Sequence, residues 1–106
     1  MQPAIFHPKA LEIIRAFPKD VRVGLGEAIL DLQHGHQPGM PLSRAMPTIA
    51  PGVHELRVKD AAGIYRAFYV SKSKRGILIF HAFEKKTQKT PQHEIELGRK
   101  RLMEMS

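Results

Sequence analysis

The sequence predicts an α+β fold with an N-terminal helical hairpin, an antiparallel β-sheet of three to four strands and a C-terminal helix. Three observations carry this prediction. Apolar residues recur at helical spacing before residue 34, three strand-like segments separated by turn residues occupy 53–84, and a Thr-Pro helix start precedes the last segment. With 106 residues, of which 42% are hydrophobic, we expect a single domain over residues 1–106.

The N-terminal part favours two short helices. Residues 8–17 begin with a proline, which suits a first helical turn, and place Leu11 and Ile14 on one face. A second helix is expected from Pro18 to about Gln33. Its apolar face is formed by Val21, Leu25, Ala28, Ile29 and Leu32. The tight connection between the two helices predicts the hairpin, and glycines at 24 and 26 suggest close packing of one helix on the other.

An irregular loop is expected next, because residues 35–52 contain four prolines and three glycines. The strand-like segments that follow are 53–59, 64–70 and 76–84, with turn chemistry at 60–63 and 71–76. The last helix is expected from about 91 to 104, with Thr90 as its N-cap and Pro91 as its first residue. This order of elements implies an antiparallel sheet with the helices on one face.

The positive charge is placed unevenly along the chain. The net charge is +7, and residues 1–56 contain equal numbers of basic and acidic residues, so the whole excess lies in the second half. Such an asymmetry is typical of a nucleic-acid-binding face, although a basic, soluble surface would give the same count.

Several classes of site are not expected. The chain has no cysteine, which excludes disulfides and thiolate metal sites and fits a reducing cytoplasm. The histidines lack metal-ligand spacing, so we expect neither a metal nor a cofactor. No phosphate-cradling glycine loop or nucleophile elbow occurs. No segment has membrane-spanning length or a signal-peptide pattern, so no membrane association is expected.

Strand alternation predicts a basic row across one sheet face. A four-residue loop between the first two strands places Arg57 opposite Arg66. If Val70 faces Ile77 across the next loop, Arg66 lies opposite His81. Apolar residues should form the other face and pack on the helices, namely Leu56, Val58, Tyr65, Ala67, Tyr69, Leu78, Phe80 and Ala82.

Two directly opposed arginines repel each other and destabilise a sheet. A bound anion between Arg57 and Arg66 would remove this conflict, and pairing of the arginines with Glu55 and Glu84 would also do so. Lys59 and Lys85 share the face nearer its edge.

The remaining basic candidates follow the third strand. Lys86 and Lys89 extend the charge begun by Lys85, either as phosphate ligands or as a solvated strand end, and RNA is the polyanion this favours. Arg99 belongs to a basic patch on the last helix that either contacts RNA or is simply solvated. His81 has a side chain suited to acid–base work, although a strand histidine is often a structural residue.

The runs 55-ELRVKDAAGIYRAFYV-70 and 79-IFHAFEKKTQKTPQHEIELGRKR-101 closely resemble the phage-derived, HigB-like branch of the RelE/ParE toxin superfamily. The motifs occur in order and with family-like spacing over roughly the second half of the chain. The resemblance implies the toxin of a type II toxin–antitoxin system. Such toxins are typically ribosome-dependent, metal-independent mRNA endonucleases (mRNA interferases) that inhibit translation. The implied partners are mRNA in the ribosomal A site and a cognate helix-turn-helix antitoxin.

The resemblance also implies roles for individual residues. Arg57 and Lys59 occupy the places of two first-strand lysines in RelE-type members, and Arg66 matches their second-strand arginine. Lys85 lies near a further arginine of the family, with Lys86 as the alternative counterpart.

In the implied reaction, a ribose 2′-hydroxyl attacks the adjacent phosphate. Arg57 and Arg66 would stabilise the phosphorane, and Lys85, with Lys86 or Lys59, would orient RNA or protonate the leaving group. His81 could act as base or acid, because no tyrosine follows Tyr69 to take the place of the tyrosine that RelE-type members often have there.

Two alternatives remain open at this stage. The chain could be a non-catalytic RNA- or ribosome-binding protein, because a basic face alone does not require cleavage. It could also be a gyrase-poisoning toxin of the ParE type, since that branch shares the fold.

Overall fold

The computed structural model describes residues 1–86 and 89–106. In chain order its elements are β1 (Ala4–Phe6), α1 (Pro8–Arg15), α2 (Lys19–Gln33), β2 (Ser43–Ala45), β3 (Val53–Lys59), β4 (Ile64–Ser73), β5 (Gly76–Lys85) and α3 (Gln92–Met105). The strands form a five-stranded sheet in the order β1-β5-β4-β3-β2. The α+β class and the three central strands are confirmed, and the sheet is mixed because β1 runs parallel to β5.

The two outer strands were not predicted. Each has three residues, too few to show the alternation of polar and apolar side chains that marks a strand. Gly76 makes the β1 pairing possible, because a Cβ at this position would lie 2.4 Å from the Pro3 carbonyl oxygen. The glycine also has φ +126°, a conformation that other residues rarely adopt. The start of β5 can therefore approach the N-terminal segment closely.

Helices α1 and α2 begin and end within two residues of their predicted bounds. The His7 imidazole caps α1 by accepting a hydrogen bond from the Lys9 backbone N–H at 3.1 Å, and the C-cap of α2 is followed by Gly35 with φ +86°. Packing of the two helices on each other as a hairpin stays a prediction. The nearest neighbour of Gly24 is on the sheet, because a Cβ there would lie 3.1 Å from the Val58 side chain.

The prediction that the helices cover one face of the sheet is wrong. Buried side chains of α1 and α2 share a core with Leu56, Ala67 and Tyr69. Helix α3 packs on the opposite face, where Ile95, Leu102 and Met105 meet Phe68, Phe80 and Phe83. Strand β5 is buried from Gly76 through Phe83, as expected for a strand covered on both faces. The basic face is therefore partly covered by α3.

The predicted register is confirmed for the first hairpin and wrong for the second. Arg57 lies opposite Arg66, as expected. Arg66, however, lies opposite Phe83, and His81 lies opposite Phe68. The reason is that β4 continues to Ser73, which leaves two residues in the turn. This shift of two residues keeps His81 on the predicted face but moves it into the neighbouring row.

A bulge between Phe68 and Tyr69 changes the first half of β5 further. Leu78 and Phe80, which were expected on the α1–α2 face, belong to the core beneath α3. Ile77 and Ile79 take the positions on the α1–α2 face instead.

Helix α3 begins one residue later than predicted. Pro91 is its N-cap rather than its first residue, and Thr90 is not the cap. Among the helices of the described part, none combines the length and apolar character needed to cross a membrane.

Candidate anion-binding site

Three rows of side chains on one sheet face build the candidate site. Each row is read from β2 or β3 across to β5, and the rows are Arg44–Glu55–Phe68–His81, Arg57–Arg66–Phe83 and Lys59–Ile64–Lys85. Because alternate residues of a strand point to the same side, these rows share one face. The cations concentrate towards the 60–63 turn, and helix α3 covers the aromatic side chains at the β5 end.

Glu55 lies at the centre of the basic residues. It is fully buried, and its Oε1 atom accepts a hydrogen bond from Nη1 of Arg66, which is 2% exposed. The same oxygen is 4.0 Å from Nε of Arg57. The opposed arginines are therefore held together by a carboxylate of the chain itself. Of the two open alternatives, pairing of the arginines with Glu55 is confirmed, and a bound anion stays a prediction.

Positive charge nevertheless exceeds what Glu55 offsets. Burial lowers the pKa of Lys85, and the neighbouring Arg66, Arg44 and Arg57 lower it further while Glu55 raises it. Burial also lowers the pKa of Arg66 against the opposing effect of Glu55. A lowered pKa means that the surroundings disfavour the cationic form. A bound anion would favour the cationic form of both Lys85 and Arg66.

Three buried polar atoms of this cluster have no hydrogen-bond partner among the described residues. They are Glu55 Oε2, Arg57 Nε and Arg66 Nε. Buried polar groups in native proteins are nearly always paired, so such atoms mark a place for water or a ligand. Two of the three are guanidinium donors, which suit a phosphate oxygen.

A cleft of about 820 Å³ opens beside the cluster at the end of the sheet. Its walls are formed by Ala62, Gly63, Ile64, Arg66, Glu84, Lys85 and Lys86. The Asp60 carboxylate shapes one wall by accepting hydrogen bonds from the backbone N–H groups of Ala62 and Gly63 at 2.8 and 2.9 Å. Lys85, which is 3% exposed, is thus a buried amine in the wall of an open cleft.

A smaller groove of about 240 Å³ lies on the other side of β3. It is lined by Pro41, Leu42, Arg57 and Lys59. The Arg57 backbone N–H donates to the Leu42 carbonyl at 2.9 Å, which fastens the loop before β2 against β3. Lys59 is exposed here, so Arg57 and Lys59 face a surface that a polyanion can reach.

His81 does not share the row of Arg57 and Arg66. The ring is 1% exposed, lies 5.5 Å from the rings of both Phe68 and Phe83, and contacts α3. Arg101 Nη1 donates to its Nδ1 at 2.6 Å, so the proton of the neutral ring is on Nε2, which donates to Glu94 at 2.8 Å. Burial lowers the pKa of His81. These contacts favour the structural interpretation of this histidine.

The other predicted RNA-binding residues are dispersed. Lys86 is exposed and lines the large cleft, and Lys89 is exposed at the approach to α3. Arg99 is exposed on α3 but donates to the carbonyls of Thr48 and Ile49, so it fastens the loop between β2 and β3. Residues 87 and 88 of the family-like motif lie outside the described residues.

Two members of the site were missed by reasoning from sequence alone. Glu55 was considered only as a partner that would neutralise the arginines, and Arg44 was not considered because it lies in the proline- and glycine-rich segment. The alternation of Glu55, Arg57 and Lys59 on one strand was the available signal for Glu55. Arg44 had none, because β2 is too short to recognise. Among the described residues, no cluster of histidine and acidic side chains could hold a metal ion.

The model of a protein family described as phage-derived protein Gp49-like (DUF891) matches residues 12–103. The chain belongs to this Gp49-like family. The Gp49-like family is part of the RelE/HigB-like toxin family, which agrees with the helices and antiparallel central strands of the fold. Membership therefore rests on nearly the whole chain rather than on the second half alone. No curated protein matches the Gp49-like chain.

Proposed function

We propose that this Gp49-like protein is a HigB-like toxin of a type II toxin–antitoxin system that cleaves mRNA on the ribosome and so inhibits translation. The observation that carries the proposal is the cluster of Arg57, Arg66 and Lys85 beside an open cleft, with more positive charge than Glu55 offsets. Family membership supports the assignment to a toxin. The proposed partners are mRNA in the ribosomal A site and a helix-turn-helix antitoxin.

The proposed reaction needs no metal. The RNA 2′-oxygen forms a bond to the neighbouring phosphorus while the bond to the 5′-oxygen breaks, leaving a 2′,3′-cyclic phosphate and a 5′-hydroxyl. Arg57 and Arg66 stabilise the charge that develops on the phosphorane. A guanidinium is suited to this work because it presents several donors in a fixed plane.

Proton transfer is divided between Lys85 and solvent. Lys85 supplies the proton to the departing 5′-oxygen, and a lowered pKa makes it a better acid than an ordinary lysine. His81 was the expected alternative, but both of its ring nitrogens are bonded, to Glu94 and Arg101. We therefore assign the proton of the attacking 2′-hydroxyl to water, and His81 to the support of α3.

Primer extension on mRNA after induced expression tests the proposal. The wild-type protein should produce new 5′ ends within translated reading frames, and Arg57→Gln should reduce them about a hundredfold, which corresponds to the loss of one electrostatic donor. Arg57 is the better target because its side chain is 21% exposed, whereas Arg66 is also needed for stability. Arg15→Gln removes an exposed arginine of α1 and serves as the control.

A non-catalytic RNA-binding role is the second candidate, and burial of Arg66 with Glu55 favours it. It predicts ribosome binding that weakens steeply with salt, with every mRNA left intact. Intact mRNA together with DNA damage signalling would instead identify a gyrase poison. Either result would overturn the proposed endonuclease.

A further inference from the structure

We propose that Glu55 is the positioning residue of this site. Its carboxylate holds the Arg66 guanidinium through an ion pair and lies 4.0 Å from Nε of Arg57, with donors left over for a phosphate. The catalytic part of this inference rests on the proposed function, whereas the fixed orientation of the arginines does not.

The place of Glu55 in the sheet supports this role. Its neighbours along the row are Arg44 on β2 and Phe68 on β4, and none of its surface reaches solvent. A buried carboxylate is strongly unfavourable unless it is paired, and Arg66 supplies the partner through Nη1. Arg66 is thus held by a group that cannot move out to solvent.

The polar atoms that the ion pair of Glu55 and Arg66 leaves without a partner in the described part of the chain support the same role. An ion pair kept for stability alone would be expected to satisfy its remaining polar atoms, because a partly satisfied buried network is worse than an apolar one. Here Glu55 Oε2 and the Nε atoms of Arg57 and Arg66 have no partner among the described residues. The two Nε–H groups therefore remain as unused donors beside the Arg66 contact to Glu55. The ion pair of Glu55 and Arg66 therefore orients the guanidinium and leaves some of its N–H donors without a partner among the described residues.

The charge of Glu55 also acts on Lys85. The negative charge of Glu55 raises the pKa of Lys85, against the effects of burial and of three arginines. Replacing Glu55 with glutamine would lower the Lys85 pKa further and would leave the cluster more positive. Attraction for RNA should then increase while the geometry for reaction is lost. A residue that merely supports the fold would not separate these two effects.

The test is Glu55→Gln in steady-state cleavage of mRNA on ribosomes, with Glu12→Gln as the control. Glu12 is an exposed residue of α1, so the control makes the same change in net charge away from the site. We expect Glu55→Gln to lower kcat at least tenfold without raising KM, and to move the alkaline limb of the pH–rate profile to lower pH. Unchanged kcat would overturn the positioning role. A loss of kcat that is accompanied by losses of RNA affinity and of thermal stability would overturn it too, because all three would then follow from a damaged fold.

A second variant guards against loss of folding. Glu55→Asp keeps the charge but draws the carboxylate back by one methylene, so we expect a folded protein with an unshifted pH profile and a reduced kcat. Full activity of this variant would show that only the charge at position 55 matters for cleavage, and it would contradict the positioning role.

A measurement on the wild-type protein separates this inference from the proposed function. In nuclear magnetic resonance spectra, a held guanidinium gives separate Nη signals, whereas a rotating one gives averaged signals. Arg66 should give separate signals even if no RNA is cleaved. Averaged signals would refute the positioning role, whereas separate signals in a protein that leaves mRNA intact would refute only the endonuclease.

Discussion

Replacing Arg66 with methionine removes the partner of a carboxylate that has no access to solvent. Arg66 is 2% exposed and donates to Glu55, while Arg57 stands farther off at 4.0 Å. Breaking one side of a buried ion pair costs about 3–5 kcal/mol. We expect the lower part of that range, about 3 kcal/mol, because Arg57 still offsets some of the Glu55 charge.

The double variant distinguishes a lost ion pair from a damaged core. Replacing both members of a buried pair with apolar residues of similar size is often neutral. Glu55→Met combined with Arg66→Met should therefore recover most of the stability that Arg66→Met loses. The coupling energy between the two positions should exceed about 2 kcal/mol.

Urea denaturation of the wild type, both single variants and the double variant completes the cycle. The midpoint should fall for each single variant with an unchanged dependence on urea, which would show that stability and not compactness has changed. Losses that add to within about 0.5 kcal/mol would refute the reasoning, because independent sites behave in that way. The same result would remove the physical basis for Glu55 as a positioning residue.

Four further predictions concern other residues. The lowered pKa of His81 means that stability is fully present above pH 6.5, the ordinary value, and falls as the pH decreases towards the lowered pKa; His81→Gln should flatten this dependence in urea unfolding. Arg44→Ala should weaken binding of single-stranded RNA and reduce its salt slope by about 0.7 in fluorescence anisotropy, with little change in stability, because Arg44 is exposed. Gly98→Ala should destabilise the fold by about 1–3 kcal/mol in thermal unfolding, since the new Cβ would lie 3.0 Å from the fully buried Phe68 ring. Gly26→Ala meets open space and should instead stabilise α2 by up to about 1 kcal/mol.

The sequence predicted the first hairpin correctly because its turn has distinctive chemistry. Asp60 and Gly63 close the turn through short-range hydrogen bonds, and the register of β3 and β4 follows from its length. The predicted register of the second hairpin was wrong because the polar residues 71–76 resemble a loop. In the structure, Ser73 pairs with Gly76 and its hydroxyl bonds to the Gly76 backbone, so the strands continue through that segment.

The covering of both sheet faces could have been predicted from β5. Its residues 77–80 are all apolar, whereas a strand with one solvent face alternates. The prediction placed Arg57, Arg66, Lys59 and Lys85 on the correct face of the sheet. The face of a residue depends only on whether the register is shifted by an odd or an even number of residues, and the error between β4 and β5 was two residues. Pairing of Glu55 with the arginines was one of the alternatives open from sequence, but its complete burial depends on tertiary contacts and could not be predicted.

The position of α3 limits how a polyanion can reach the cations. The helix packs against Phe68 and Phe83 and so covers this part of the face. Access remains from the 60–63 turn, where the cleft of about 820 Å³ brings Arg66, Lys85 and Lys86 together. This volume lies within the range of about 300–1,000 Å³ typical of small-ligand sites. If RNA is the substrate, as we propose, the site can admit a nucleotide of a single strand more readily than a duplex, since a duplex presents its phosphates on a broad convex surface. Paired RNA should therefore be a poor substrate even where its phosphates meet the exposed lysines.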